Sequence, residues 1–292
     1  MTAVADRPTS WWRHALERRA ERRTDDAIDL SVPFVFDDDV HRRAALKFFN
    51  AAYRAEESGF NQAHALANSL SSSDPELSET LALYGNEEGW HRELLTDFLE
   101  YLGGTVQPMG KTTGFLFRLY ARAERMDTIL LTNLMFETIG STTYRIALGR
   151  LEHPAVKSML TILTRDEAFH VPLNVHFLKR ALAHASALDR VRLRALFHVV
   201  FVALVALPLA SRPKSGAFDR IGTLELSRAY ARELGKVFAE EPGLPFEPPR
   251  WLLRALGVVL DARESRIGNG ATSVDAAERA ADRKNVTVST LP

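Results

Sequence analysis

Two short stretches, NEEGWH and TRDEAFH, each set a glutamate and a histidine three positions apart: Glu88 with His91, and Glu167 with His170. Both lie in runs whose apolar residues recur at helical steps, so each pair projects from one helix face, one turn apart, toward that helix's apolar side. Buried carboxylates and imidazoles need a partner, because an uncompensated charge in the interior is costly. A metal ion held jointly by both motifs is such a partner. It restricts the chain to folds in which several helices face inward around one point.

Few runs alternate with period two, and the chain reads as nearly all helix. From Val40 to about Leu70, Ala45, Phe49, Ala52, Glu56, Phe60 and Ala63 recur at steps of three and four. The SSSDPE stretch stops that pattern, and Asp74 followed by Pro75 starts the next helix, which Gly103 and Gly104 end. A Gly-, Thr- and Pro-rich crossover follows over 103 to about 113. A third helical pattern runs from about Gly114 to Gly149, with an interruption expected near Arg125 to Thr128. The fourth opens at His153-Pro154 and reaches about His184, with a bend expected at Pro172, which lacks a backbone donor. These features predict an all-α fold: an antiparallel four-helix bundle with one crossover connection and additional C-terminal helices. Residues 1–37 are expected to form an arm on the body, 38–185 the bundle, 186–265 the added helices and 266–292 a disordered tail.

Two further acids belong with the motifs. Glu137, in FETIGSTTY, stands among Leu131, Leu134, Ile139 and Tyr144. Glu56 lies on the apolar stripe of the first helix, whereas Glu57 shares a face with Arg54 and Asn61. Glu56 precedes Glu88 by 32 residues and Glu137 precedes Glu167 by 30, and both lone glutamates have a glycine three positions later, Gly59 and Gly140. This has the form of an internal two-fold repeat. At about 1.5 Å per residue, an antiparallel pair with a turn midway returns the second motif to the level of the first.

The chemistry accounts for the residue types. Four glutamates contribute four negative charges, which offset two divalent cations, and two imidazoles complete a nitrogen and oxygen donor set. Iron suits such donors, manganese is the alternative, and zinc is disfavoured by the coordination numbers the set implies. The 292-residue chain has no cysteine, which excludes thiolate sites and iron-sulfur clusters, and its 37 basic and 37 acidic residues give no electrostatic argument for nucleic acid. Tyr84 and Tyr144 read as packing residues, with hydrogen bonding near the metals as the alternative; Trp90 and Phe169 inside the motifs read as packing residues, and Trp11 and Trp12 can anchor the arm.

This motif set resembles the ferritin-like di-iron carboxylate superfamily over residues 45 to 180, and RDEAFH is similar to the fourth-helix motif of ribonucleotide reductase small subunits and acyl-carrier-protein desaturases. The resemblance implies that Glu56, Glu88, His91, Glu137, Glu167 and His170 are the catalytic metal ligands, with Glu88 and Glu167 bridging. It implies that Asp166 orients His91 across the bundle, with Glu87 in the equivalent place of the other half. The radical-bearing tyrosine of the reductases would fall at Leu95, and the third histidine of the arylamine N-oxygenases at Leu163, so neither role is expected.

The resemblance implies a non-haem di-iron oxidoreductase that uses O2 to hydroxylate, desaturate or oxidatively cleave a small hydrophobic substrate. The alternative is an iron-storage or ferroxidase protein. About 110 residues beyond a compact storage bundle favour the enzyme. No flavin, nicotinamide or iron-sulfur motif is present, so an external electron donor is expected. The basic N-terminus lacks the apolar core of a secretory signal, which makes the cytoplasm the expected location. The most apolar run, His198 to Ala210, is shorter than the roughly 18 to 20 residues a bilayer requires and contains Pro208, so membrane insertion is not expected. A homodimer is compatible with the sequence.

Overall fold

The computed structural model describes residues 7–23, 26, 28–108, 125–241 and 243–260, and among these the chain is all helical, with no strand. Helix α1 spans Thr9–Arg22, α2 Asp39–Leu70, α3 Pro75–Tyr101, α4 Met126–Leu148, α5 Pro154–Ala183, α6 Ala187–Asp219, α7 Thr223–Glu240 and α8 Arg250–Leu256. The expected crossover residues 109–113, the start of the third helical pattern at 114–124 and the tail at 266–292 lie outside the described residues.

Local chemistry sets the helix ends. Asp38 caps α2 by accepting the His41 backbone N–H at 2.7 Å. Asp74 caps α3 by accepting from Leu77, with Pro75 in the first turn. After α3, Gly103 adopts φ +69°, and the Gly104 N–H returns to the Leu99 carbonyl at 2.9 Å, a helix stop that glycine makes at low cost. Pro172 lies inside α5, which continues on both sides of it.

Helices α2 and α3 pack against each other, as do α4 and α5, and the two pairs meet through α2 and α4. Four residues, 71–74, join the first pair and five, 149–153, the second, whereas 24 residues, 102–125, separate the pairs. The buried stripe of α2 includes Ala45, Phe49, Ala52, Glu56 and Ala63, as its periodicity predicts. Phe49 and Phe98 stack edge to face with centroids 4.7 Å apart, closing one end of the core.

The N-terminal arm is more than a strap. Helix α1 packs on α3, and Trp12, Ala15, Leu16 and Arg19 form its buried face. Trp12 is fully buried against the rings of Phe169 and His176. Helix α6 also departs from expectation. The apolar run continues through Pro208 inside one helix, and Ala187–Ser211 is long and apolar enough to cross a membrane by length and composition. Leu193, Phe197, Phe201, Leu204 and Val205 bury one face of it, while Leu188, Val191, Val199 and Leu209 are exposed. The sequence reading ended the run at His198 because of the charges before it; the helical face on which Leu193 and Phe197 lie runs past them.

Candidate metal centre

The six expected side chains converge. Glu56 comes from α2, Glu88 and His91 from α3, Glu137 from α4, and Glu167 and His170 from α5, and none is more than 8% exposed. Glu56, Glu88 and His91 present donor atoms close enough to hold one cation; Glu88, Glu137 and His170 do the same for a second. Glu88 is common to both groups. Glu167 lies outside these two groups but reaches the same centre, its Oε2 standing 3.6 Å from His170 Nδ1. Glu57, by contrast, turns outward to Arg54 at 2.5 Å, as its helical position requires.

The imidazoles are aimed. His91 turns Nδ1 to Glu56 at 3.2 Å and Nε2 to Asp166 at 3.0 Å. His170 turns Nδ1 to Glu88 at 3.2 Å and to Glu137 at 3.7 Å, and Nε2 to Glu87 at 2.9 Å. Each ring therefore offers Nδ1 to the shared cavity and is fixed behind by a carboxylate from the opposite helix pair, an arrangement that also raises ligand basicity. Asp166 stands where the resemblance puts it, and Glu87 occupies the corresponding place for His170.

A guanidinium that the sequence reading did not single out ties the two halves together. Arg19, 5% exposed on α1, donates through Nε to Glu87 at 3.0 Å and through Nη2 to Asp166 at 2.5 Å. It lies 4.5 Å over the Phe169 ring. Arg165 adds a second cation, donating to Asp166 at 2.6 Å and to Asp26 at 2.8 Å. The signal for Arg19 was present in WWRHALERR: it stands on the Trp12, Ala15, Leu16 stripe, where a solvated arginine would not.

The tyrosines are hydrogen-bond donors as well as packing residues. Tyr84 donates to Glu137 Oε1 at 2.7 Å and is itself held by the Asn133 amide at 3.0 Å. Tyr144 donates to Glu56 Oε1 at 3.3 Å. Each lone glutamate thus has one oxygen engaged by a phenol, with the other facing an imidazole.

Electrostatics follows from this crowding. Burial raises Glu88 and Glu167 well above the ordinary carboxylate range, and the neighbouring Glu137 charge adds to both. Burial alone would raise Glu137 too, but polar contacts from Glu167, His170 and Tyr84 outweigh it and hold this carboxyl at about 2. His91, which burial would depress, is lifted to about 9 by Asp166 and Glu56. His170 is raised well above 6.5, against burial, by Glu88, Glu137, Glu167 and Glu87. Arg19 and Arg165 keep Asp166 well below its usual range despite burial.

The donor set fits two divalent cations. Six buried carboxylates, Glu56, Glu87, Glu88, Glu137, Asp166 and Glu167, outnumber the two guanidiniums that pair with them, Arg19 and Arg165, and the raised Glu88, Glu167, His91 and His170 hold protons against that excess of negative charge. Glu88 Oε1, Glu167 Oε2 and His170 Nδ1 are buried without a hydrogen-bond partner, although buried polar atoms are rarely left so. These three atoms face the region where a bound ion would lie. Among the described residues, a cavity of about 30 Å³ adjoins them, lined by the four inner glutamates together with Ala55, Ser58, Asn133, Phe136, Gly140 and Tyr144. No family model, curated protein or solved structure matches the chain.

Proposed function

We propose that the protein is a di-metal, O2-dependent oxidoreductase of the ferritin-like kind, with Glu56, Glu88, His91, Glu137, Glu167 and His170 holding two iron ions and with a small organic molecule as substrate. Three buried donor atoms without a hydrogen bond, among six buried carboxylates that outnumber the guanidiniums beside them, are the observation that carries this reading. A reduced iron pair supplies the electrons and the open coordination positions that O2 activation needs.

The chain's own residues supply the rest. Asp166 and Glu87 fix both rings so that Nδ1 faces inward. Tyr84 and Tyr144 each engage one oxygen of a lone glutamate, leaving Glu137 and Glu56 one oxygen each for a cation. Glu88, common to the two groups, would serve both cations. The packed faces of α2, α3, α4 and α5 exclude bulk water from the site.

Anaerobic Fe(II) titration is expected to saturate at two irons per chain, and Glu137→Ala to lower that number. Admitting O2 to the reduced protein with candidate substrates, followed by mass spectrometry, is expected to reveal an oxidised product. A single iron per chain would refute the assignment, and spherical multimers that mineralise excess iron would replace the enzyme reading with storage.

A further inference from the structure

Glu88 and Glu167 hold corresponding places in the two halves of the core, yet they are not held alike. Glu88 belongs to both donor groups, with Glu56 and His91 in one and with Glu137 and His170 in the other, whereas Glu167 belongs to neither. Both are buried, and each has one oxygen without a hydrogen-bond partner. The difference lies in what stands behind the carboxylate.

On α2, one turn after Glu56, a Cβ at Gly59 would lie 3.0 Å from Glu88 Cδ, 3.1 Å from its Oε2 and 3.2 Å from its Cγ. All three are inside the roughly 3.5–4.0 Å at which non-bonded atoms ordinarily meet, so the Glu88 carboxylate occupies the space that a side chain at 59 would take. Its Oε2 rests against α2, while its Oε1 stands 3.2 Å from His170 Nδ1 on α5. The two oxygens of one carboxylate are thus divided between two sides of the centre. On α4, one turn after Glu137, the corresponding glycine is Gly140. Among the described residues, a Cβ there would meet only Tyr144 Cε2, at 3.9 Å, so Glu167 does not lie in the equivalent place. The glutamate with a glycine behind it is the one common to both donor groups, and the glutamate without one stands outside them.

The backbone does not demand glycine at 59, because its φ is not in the positive range, and a glycine inside a helix weakens that helix relative to alanine. The close approach of Glu88 is what the residue serves. The same seam holds a contrasting case: a Cβ at Gly85 on α3 would stand 2.9 Å from His64, a packing contact that involves no candidate ligand.

We propose that Gly59 is a positioning residue of the candidate centre: the space left by its missing side chain is the seat of the Glu88 carboxylate, and that seat lets one glutamate turn an oxygen toward each of the two cations. The inference rests on the di-metal reading and adds the residue that decides which glutamate is shared. A methyl at 59 turns aside the flexible end of the Glu88 side chain, at little cost to the fold. It withdraws Oε2 from the cation held with Glu56 and His91, while Oε1 stays on the α5 side.

The test titrates the full, metal-free chain with Fe(II) in the absence of oxygen, resolves the two binding steps by calorimetry and compares the denaturant midpoints of the metal-free proteins. Gly59→Ala is expected to keep its midpoint, because alanine strengthens α2 as the carboxylate turns aside, and to bind one of the two irons about tenfold or more weakly than the wild type, the usual scale for a disturbed support of a metal ligand. Gly85→Ala is expected to do the reverse, lowering the midpoint and leaving both steps as they are. In a Glu88→Ala background, which has no carboxylate to displace, adding Gly59→Ala is expected to cause no further loss of iron affinity. Two unchanged steps in Gly59→Ala, two steps weakened alike, a Gly59→Ala chain that no longer folds, the same loss of iron in Gly85→Ala, or a further loss in the Glu88→Ala background each overturns the inference while the di-metal reading stands. A wild type that takes up no iron pair overturns that reading, and this inference falls with it.

Discussion

Replacing Asp166 with asparagine alters a proton that can be counted. In the metal-free chain His91 titrates at about 9, because Asp166 and Glu56 hold its imidazolium against the cost of burial. At pH 7 that ring is protonated in about 99 molecules of 100, and a cation can reach Nδ1 only by displacing the proton. His170, raised well above 6.5, behaves alike, and Glu88 and Glu167 are raised in the same sense. Loading the site at pH 7 is therefore expected to release between two and four protons per chain, two from the imidazoles and the remainder from the two glutamates. The two-decade separation between pH 7 and the His91 value lowers apparent metal affinity by about 100-fold, or roughly 3 kcal/mol, through this one group.

Asparagine at 166 still offers His91 Nε2 an acceptor but removes the carboxylate charge. The largest favourable contribution to the imidazolium then disappears while the burial penalty and the support from Glu56 stay, so His91 falls below its wild-type value. At pH 9, where wild-type His91 is about half protonated, its proton occupancy then drops, and the count released on loading should fall by up to about half a proton. Anaerobic calorimetric titration with Fe(II) in buffers of different ionisation enthalpy reads the count from the slope of heat against buffer enthalpy. A wild type that releases fewer than two protons at pH 7, or an Asp166→Asn variant with an unchanged count at pH 9, would refute the reasoning.

Arg19→Leu leaves Glu87 and Asp166 buried without the guanidinium that bridges them. Denaturant unfolding of the metal-free chain is expected to show a loss of about 3–5 kcal/mol, the usual cost of breaking a buried pair by removing one partner. Iron affinity should fall by about 10- to 100-fold as the carboxylates behind both imidazoles lose the guanidinium that holds them; an unchanged affinity would show that α1 plays no part in the centre. The metal-free chain is also expected to lose stability as pH rises. His91 is raised in the folded state, so its contribution is complete below 6.5 and is lost as pH climbs through about 9, and the raised Glu88 and Glu167 act in the same direction. Thermal melts across pH 6.5 to 9 should descend, and a midpoint that rises over this window would contradict the assignment of these shifts.

Much of this cluster was legible because its acidic residues break a pattern. A glutamate on the apolar stripe of α2 is conspicuous against Ala45, Phe49 and Ala52, and the same test separated Glu56 from Glu57 correctly. The helices themselves were legible from caps and stops, Asp74-Pro75 and Gly103-Gly104 above all. Arg19 escaped because it lies 68 residues from Glu87 and 147 from Asp166, and only the docking of α1 brings them together. The tyrosines escaped for a related reason: an aromatic at a core position satisfies the hydrophobic pattern whether or not its hydroxyl has a partner. The extent of α6 was underestimated because arginines on its polar side interrupt the linear run without interrupting the face that carries Leu193, Phe197 and Phe201.

The two halves of the core agree and differ in a way that separates two tasks. Charge-bearing positions correspond: Glu56 with Glu137, Glu88 with Glu167, His91 with His170, and Glu87 with Asp166, each outer acid serving the histidine of the other half. On the proposed di-metal reading this follows from two like cations, since each would need a similar donor set and balanced charge. Positions that govern space do not correspond. Glu88 fills the space at Gly59, whereas a Cβ at Gly140 would meet, among the described residues, only Tyr144, and Tyr84 reaches the lone glutamate of the other half from α3 while Tyr144 reaches Glu56 from α4. A symmetric pair of ions offers no preferred direction to a substrate, so direction has to come from the surrounding side chains.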